Sequence, residues 1–109
     1  MTEAEFHELV DETLERFEMA VENAADDADR DVDCDESGGV LTVTFDNGSS
    51  LIFSRQPAMR QLWLAARSGG YHFEYSTAAS AWVCTRSGDT LHKILELALA
   101  DQAGLQLDA

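Results

Sequence analysis

Positive charge is scarce in this sequence: one lysine and six arginines stand against 21 acidic residues, a formal net charge of −14. That imbalance excludes recognition of nucleic-acid phosphates and of anionic membrane surfaces, and it points to cations or basic protein surfaces as partners. Cysteine is nearly absent as well. Cys34 and Cys84 stand alone, with no C-x-x-C pair, which excludes a zinc knuckle and a thioredoxin-like redox site and leaves two buried reduced thiols as the expectation. No apolar run approaches the ~20 residues of a bilayer-crossing helix. The opening MTEAEFHELV has neither the basic start nor the apolar stretch of a signal peptide, so a cytoplasmic location is expected. No glycine-rich phosphate loop is present, and no motif pairs a serine or cysteine nucleophile with a base, so no enzymatic activity is expected.

What the sequence does contain suits one domain spanning residues 1–109: 45% hydrophobic residues and 8% aromatic ones, enough for one core. The charge is unevenly placed. Residues 1–36 carry 15 acids against two arginines, whereas residues 37–109 carry six acids against five basic residues. The first third is therefore an anionic module attached to a nearly neutral remainder.

Thr2 and Glu5 form a capping-box pattern, and Phe6, Leu9, Val10, Leu14, Phe17 and Val21 recur at helical spacing, predicting a helix over about residues 3–23. Glu3, His7, Asp11, Glu15, Glu18 and Glu22 fall on its other sides. From Asp26 the pattern becomes an alternation, with Asp27, Asp29, Asp31, Asp33 and Asp35 two apart, so a strand with Val32 and Cys34 inward would carry its aspartates outward. Asp27, Asp29 and Asp31 also fit positions 1, 3 and 5 of an EF-hand loop. Val32 and Gly38 then stand where that loop needs glycine and a bidentate glutamate, which excludes it.

Val40 to Phe45 and Leu51 to Ser54 alternate around Asp46-Asn47-Gly48, a hairpin signal. Further strands are expected at Gln61–Ala65, Tyr71–Tyr75 and Ala81–Thr85. A second helix is expected from Leu91, capped by Asp89 or Thr90 and stopped by Gly104. Short connections favour an antiparallel sheet, and two one-sided helices bury their stripes most simply on one face of it. The expected fold is an α+β two-layer sandwich of two terminal helices on about six strands, its other sheet face open. Alternation sets Trp63 opposite Leu62 and Leu64. It faces solvent if the leucines take the core, and the competing arrangement is a buried tryptophan with its N–H bonded.

EFHELVDETL, DVDC, GGVLTVTFDNGS, QLWLA, GGYHFE, AWVCTRSGDT and LELALADQAG occur in an order and at a spacing that resemble bacterial frataxins along nearly the whole chain. The chain departs from that pattern in a longer acidic linker before DVDC, in Pro57 directly after Gln56, and in Ser54 where asparagine is usual. The resemblance implies weak binding of ferrous and ferric iron along an acidic ridge, here Glu3, His7, Asp11, Glu18, Glu22, Asp27, Asp29, Asp31 and Asp33. It also implies contact with a cysteine desulfurase and with the iron–sulfur scaffold protein, through sheet-face residues that map to Arg55, Gln61 and Trp63. By this reading the protein is an adaptor and regulator of cluster assembly, a monomer without iron, with neither nucleic acid nor membrane as partner. Iron storage through metal-driven oligomerisation is the alternative. Carboxylates suit hard cations, but ligands spread over a convex surface cannot close around one ion, so weak and multiple sites are expected. The bland alternative is a ridge that only keeps the domain soluble.

Overall fold

A computed structural model describes residues 1–107. The chain runs α1 (Glu3–Asp27), β1 (Val32–Ser37), β2 (Val40–Phe45), β3 (Ser50–Gln56), a 3₁₀ turn (Pro57–Met59), β4 (Gln61–Ala66), β5 (Gly69–Ser76), β6 (Ala81–Cys84) and α2 (Leu91–Ala103). The six strands form one antiparallel meander in chain order, β1 to β6, leaving β1 and β6 as the edges. Both helices cover the same face, and the two-layer expectation holds.

The capping box at Thr2 and Glu5 starts α1, and Phe6, Val10, Leu14, Phe17, Val21 and Ala25 form its buried stripe. The helix ends at Asp27 and not near residue 23. Ala24 and Ala25 are strong helix formers, and Ala25 carries the apolar stripe one turn further. Asp29, at φ +56°, then closes the helix: its N–H donates to Asp26 O and that of Arg30 to Ala25 O, a Schellman arrangement with an aspartate in the position usually given to glycine. The acidic alternation is thus not one strand. Asp27 is helical, Asp29 caps the helix, Asp31 lies in the connection, and only Asp33 and Asp35 stand on β1.

Leu41, Val43, Phe45, Leu51, Phe53, Leu62, Leu64, Phe73, Trp82 and Cys84 are the inward residues of β2 to β6. They meet the α1 stripe and Leu91, Ile94, Leu95, Ala98 and Leu99 of α2 in one continuous core. Trp82 is only 4% exposed, and its indole N–H donates to Thr13 Oγ1 at 2.9 Å, while Thr13 Oγ1 donates to Leu9 O at 2.7 Å. Residues Leu9 to Ala20 of α1 share a groove of about 620 Å³ with Thr90 to Leu95. Ala24 to Ala28 likewise line a cleft with Gly104 to Gln106, so the two helices run side by side in the same direction.

The last carbonyls of a helix lack internal partners. In α2 other loops supply them: Arg67 donates to Asp101 O, Asn47 and Ser49 to Gln102 O, and Arg30 to Ala103 O. The buried Gln102 side chain accepts from Arg67 N and donates to Ser50 O. Arg30 also grips Asp46 through two bonds of 2.7 and 2.6 Å. The Asp46-Asn47-Gly48 turn therefore fastens the end of α2 as well as closing a hairpin.

Candidate functional site

Glu3, His7, Asp11, Glu15, Glu18 and Glu22 follow one another at helical spacing on the flank of α1. They do not act as one set. At the N-terminal end, His7 Nε2 lies 3.8 Å from Glu3 Oε1, and Arg55 of β3 reaches up to place Nη1 3.0 Å from His7 Nδ1 and to donate from Nη2 to Asp11 Oδ1 at 2.8 Å. Two of the expected iron ligands thus already share a guanidinium. Further along, Glu18 and Glu22 face Cys34 and Glu36 of β1, and among the described residues neither glutamate has an ion-pair partner. Burial first, then the charges of Glu36, Glu22 and Glu15, push the Glu18 carboxyl up. The same crowding acts on Cys34, whose thiol is pushed up to about 11 by burial and then by Glu18, Glu22 and Asp33.

Cys34 is half-buried, not buried as expected, because it lies on an edge strand beside which only α1 provides cover; Cys84, on β6, is buried. Asp27, Asp29 and Asp31 extend the acidic surface around the end of α1. Asp33 stands on the other side of β1, opposite Thr44, on the open face of the sheet. Among the described residues no three or more histidine, cysteine, aspartate or glutamate side chains gather closely enough to hold a metal ion. Apart from the imidazole of His7 the donors are hard carboxylate oxygens, a kind that suits hard cations, and they are dispersed over the surface instead of converging on one point.

The open face carries the second group. Gln61 and Trp63 alternate with buried Leu62 and Leu64, so both point away from the helices, and Trp63 is half-buried. The cross-strand neighbours of Trp63 are Ser54 on β3 and His72 on β5. Its indole N–H donates to Gln61 Oε1 at 2.8 Å, and Gln61, only 8% exposed, donates from Nε2 to Glu74 Oε2 at 3.2 Å. Ile52, 38% exposed, adds apolar surface one row away.

Arg55 does not share that face. It pairs with Leu62 and has the parity of Leu51 and Phe53, so it projects toward α1, its side chain 14% exposed. The signal was present in the sequence: Phe53 and Arg55 are two apart, and an inward Phe53 requires an inward Arg55. Gly39, in the β1–β2 turn that borders the arginine stem, adopts φ +79°, a left-handed conformation that favours glycine. His72 and Glu36 were also missed as members of these groups, because cross-strand and helix-to-strand neighbours depend on register.

Residues 1–105 match the profile of the frataxin-like domain. Curated relatives include the iron–sulfur cluster assembly protein CyaY of Ectopseudomonas mendocina (strain ymp), 53% identical over 108 residues covering 99% of this chain and 94% of the relative. The protein of that name from Azotobacter vinelandii (strain DJ) is 50% identical with the same coverage. Among solved structures, the frataxin of Psychromonas ingrahamii matches with a TM-score of 0.85 and 33% identity over 99% of this chain and 97% of that one. With its meander sheet, paired helices and acidic first third, the chain belongs to the frataxin-like family.

Proposed function

We propose that this protein serves iron–sulfur cluster assembly in the cytoplasm as a non-catalytic, iron-binding adaptor. Its acidic ridge docks on a basic surface of the cysteine desulfurase, and Gln61 and Trp63 on the open sheet face contact the scaffold. The observation that carries the reading is the uncompensated charge along α1 and β1, where Glu36, Glu22 and Glu15 all bear on the Glu18 carboxyl and none of the four has an ion-pair partner among the described residues. Like charges so placed weaken the fold, and a basic partner or a cation relieves the repulsion. The names of the relatives supply the pathway.

Iron is cargo or effector in this scheme, held weakly by ridge side chains among Glu3, His7, Asp11, Glu18, Glu22, Asp27, Asp29, Asp31 and Asp33. Iron and desulfurase use the same charge. Their binding is therefore linked, and the iron level adjusts docking and so sulfur delivery. Arg55 enters indirectly, by holding His7 and Asp11 in place.

The test is the anaerobic rate of cluster formation on the scaffold by its desulfurase, with increasing amounts of this protein. A dose-dependent change that weakens with salt supports the adaptor. An unchanged rate with no complex formed rejects it. Large assemblies forming only with aerobic iron would favour storage instead.

A further inference from the structure

Trp63 is fixed in place before any partner arrives. The imidazole of His72 lies parallel to the indole, ring centroids 4.0 Å apart at an interplanar angle of 8°. The indole N–H is tied to Gln61, and Gln61 to Glu74. One ring face and the polar edge are therefore occupied from within the protein. On the other side the cross-strand neighbour is Ser54, whose side chain is too short to cover an indole.

We propose that His72 is a positioning residue for Trp63: it braces one face of the indole so that the face toward Ser54 is presented, already ordered, to the scaffold protein. The inference rests on the reading above of Trp63 as a scaffold contact. A free surface tryptophan samples several rotamers and loses that freedom on binding, whereas a braced one has lost it on folding. His72 itself is exposed and outside the core, so its stack is not needed to hold the sheet together. The partner group that fits is planar or apolar, since the indole donor is already engaged inside the protein.

Affinity for the scaffold–desulfurase complex is measured for the wild type, Trp63→Ala, His72→Ala, His72→Phe and the Trp63→Ala/His72→Ala double variant, with the Trp63 indole resonance followed in the free proteins. Bracing predicts that His72→Ala weakens binding about three- to tenfold, that His72→Phe, which keeps a flat ring, restores it, and that His72→Ala has no further effect once Trp63 is removed. The Trp63 indole resonance should shift in His72→Ala. Equal losses from His72→Ala with and without Trp63 would overturn the proposal, because His72 would then touch the partner directly. Unchanged affinity in His72→Ala, with Trp63→Ala still impaired, would overturn it while leaving Trp63 as a contact. Unchanged affinity in Trp63→Ala would remove the scaffold-contact reading and the positioning role with it.

Discussion

Arg55 donates from Nη2 to Asp11 Oδ1 at 2.8 Å, joining the end of β3 to the third turn of α1 across 44 residues of sequence. The bond neutralises one ridge carboxylate and sets its distance from the sheet. The guanidinium is largely desolvated, while Asp11 remains 59% exposed. Arg55→Gln should therefore lower the unfolding free energy by about 1–2 kcal/mol, between the value of an exposed pair and that of a buried one. Denaturant titration checks this, with Asp11→Asn expected to lose less because it leaves the arginine its contact with His7. No change in Arg55→Gln would show that the tie contributes nothing.

Glu18 illustrates the opposite condition. Burial and then Glu36, Glu22 and Glu15 raise its carboxyl, so its charge opposes folding near neutral pH. Glu18→Gln should raise metal-free stability by a few tenths of a kcal/mol and weaken ferrous iron binding. Thermal unfolding and anaerobic iron titration measure the two effects. A loss of stability in the metal-free protein would contradict the repulsion argument.

Trp82 depends on a single acceptor. Thr13→Val keeps the shape of the side chain but removes Oγ1, leaving a buried indole N–H unpaired at a cost of about 1–3 kcal/mol. Its unfolding midpoint in denaturant should drop accordingly, with an unchanged slope. A variant as stable as the wild type would mean the indole finds another partner.

Asp46 gives the pH dependence. Its hydrogen bond from Arg30, aided by their opposite charges, holds the carboxyl below the usual carboxylate range. A carboxyl whose folded pKa lies below its unfolded value contributes stability above the unfolded pKa and loses it as pH falls through the folded one. The stability difference between wild type and Asp46→Asn should thus be full at pH 7 and shrink below about pH 4. A difference that persists unchanged at pH 3 would assign the effect to shape instead of charge.

Much of this protein follows from sequence because its signals are local. The Thr2 and Glu5 cap, the apolar stripe from Phe6 to Val21, the Asp46-Asn47-Gly48 turn and the inward Leu62 and Leu64 each depend on periodicity or turn chemistry within a few residues. The helix boundary was less legible. Asp27 and Asp29 continue an alternation that suits a strand, and only the burial of Ala25 and the positive φ of Asp29 show that the helix continues and then closes there.

The sequence by itself determined the helix–meander–helix order, the anionic first third and the placing of Trp63 on the strand face opposite Leu62 and Leu64, because charge count and side-chain period do not depend on distant neighbours. Which of those faces meets the helices was left to the packed core. Only the tertiary structure decided that Arg55 turns to His7 and Asp11, that His72 lies flat on Trp63, and that Glu18 meets Glu36. Each of those contacts joins residues on different elements, and strand register and helix placement bring them within bonding distance only when the whole core has packed.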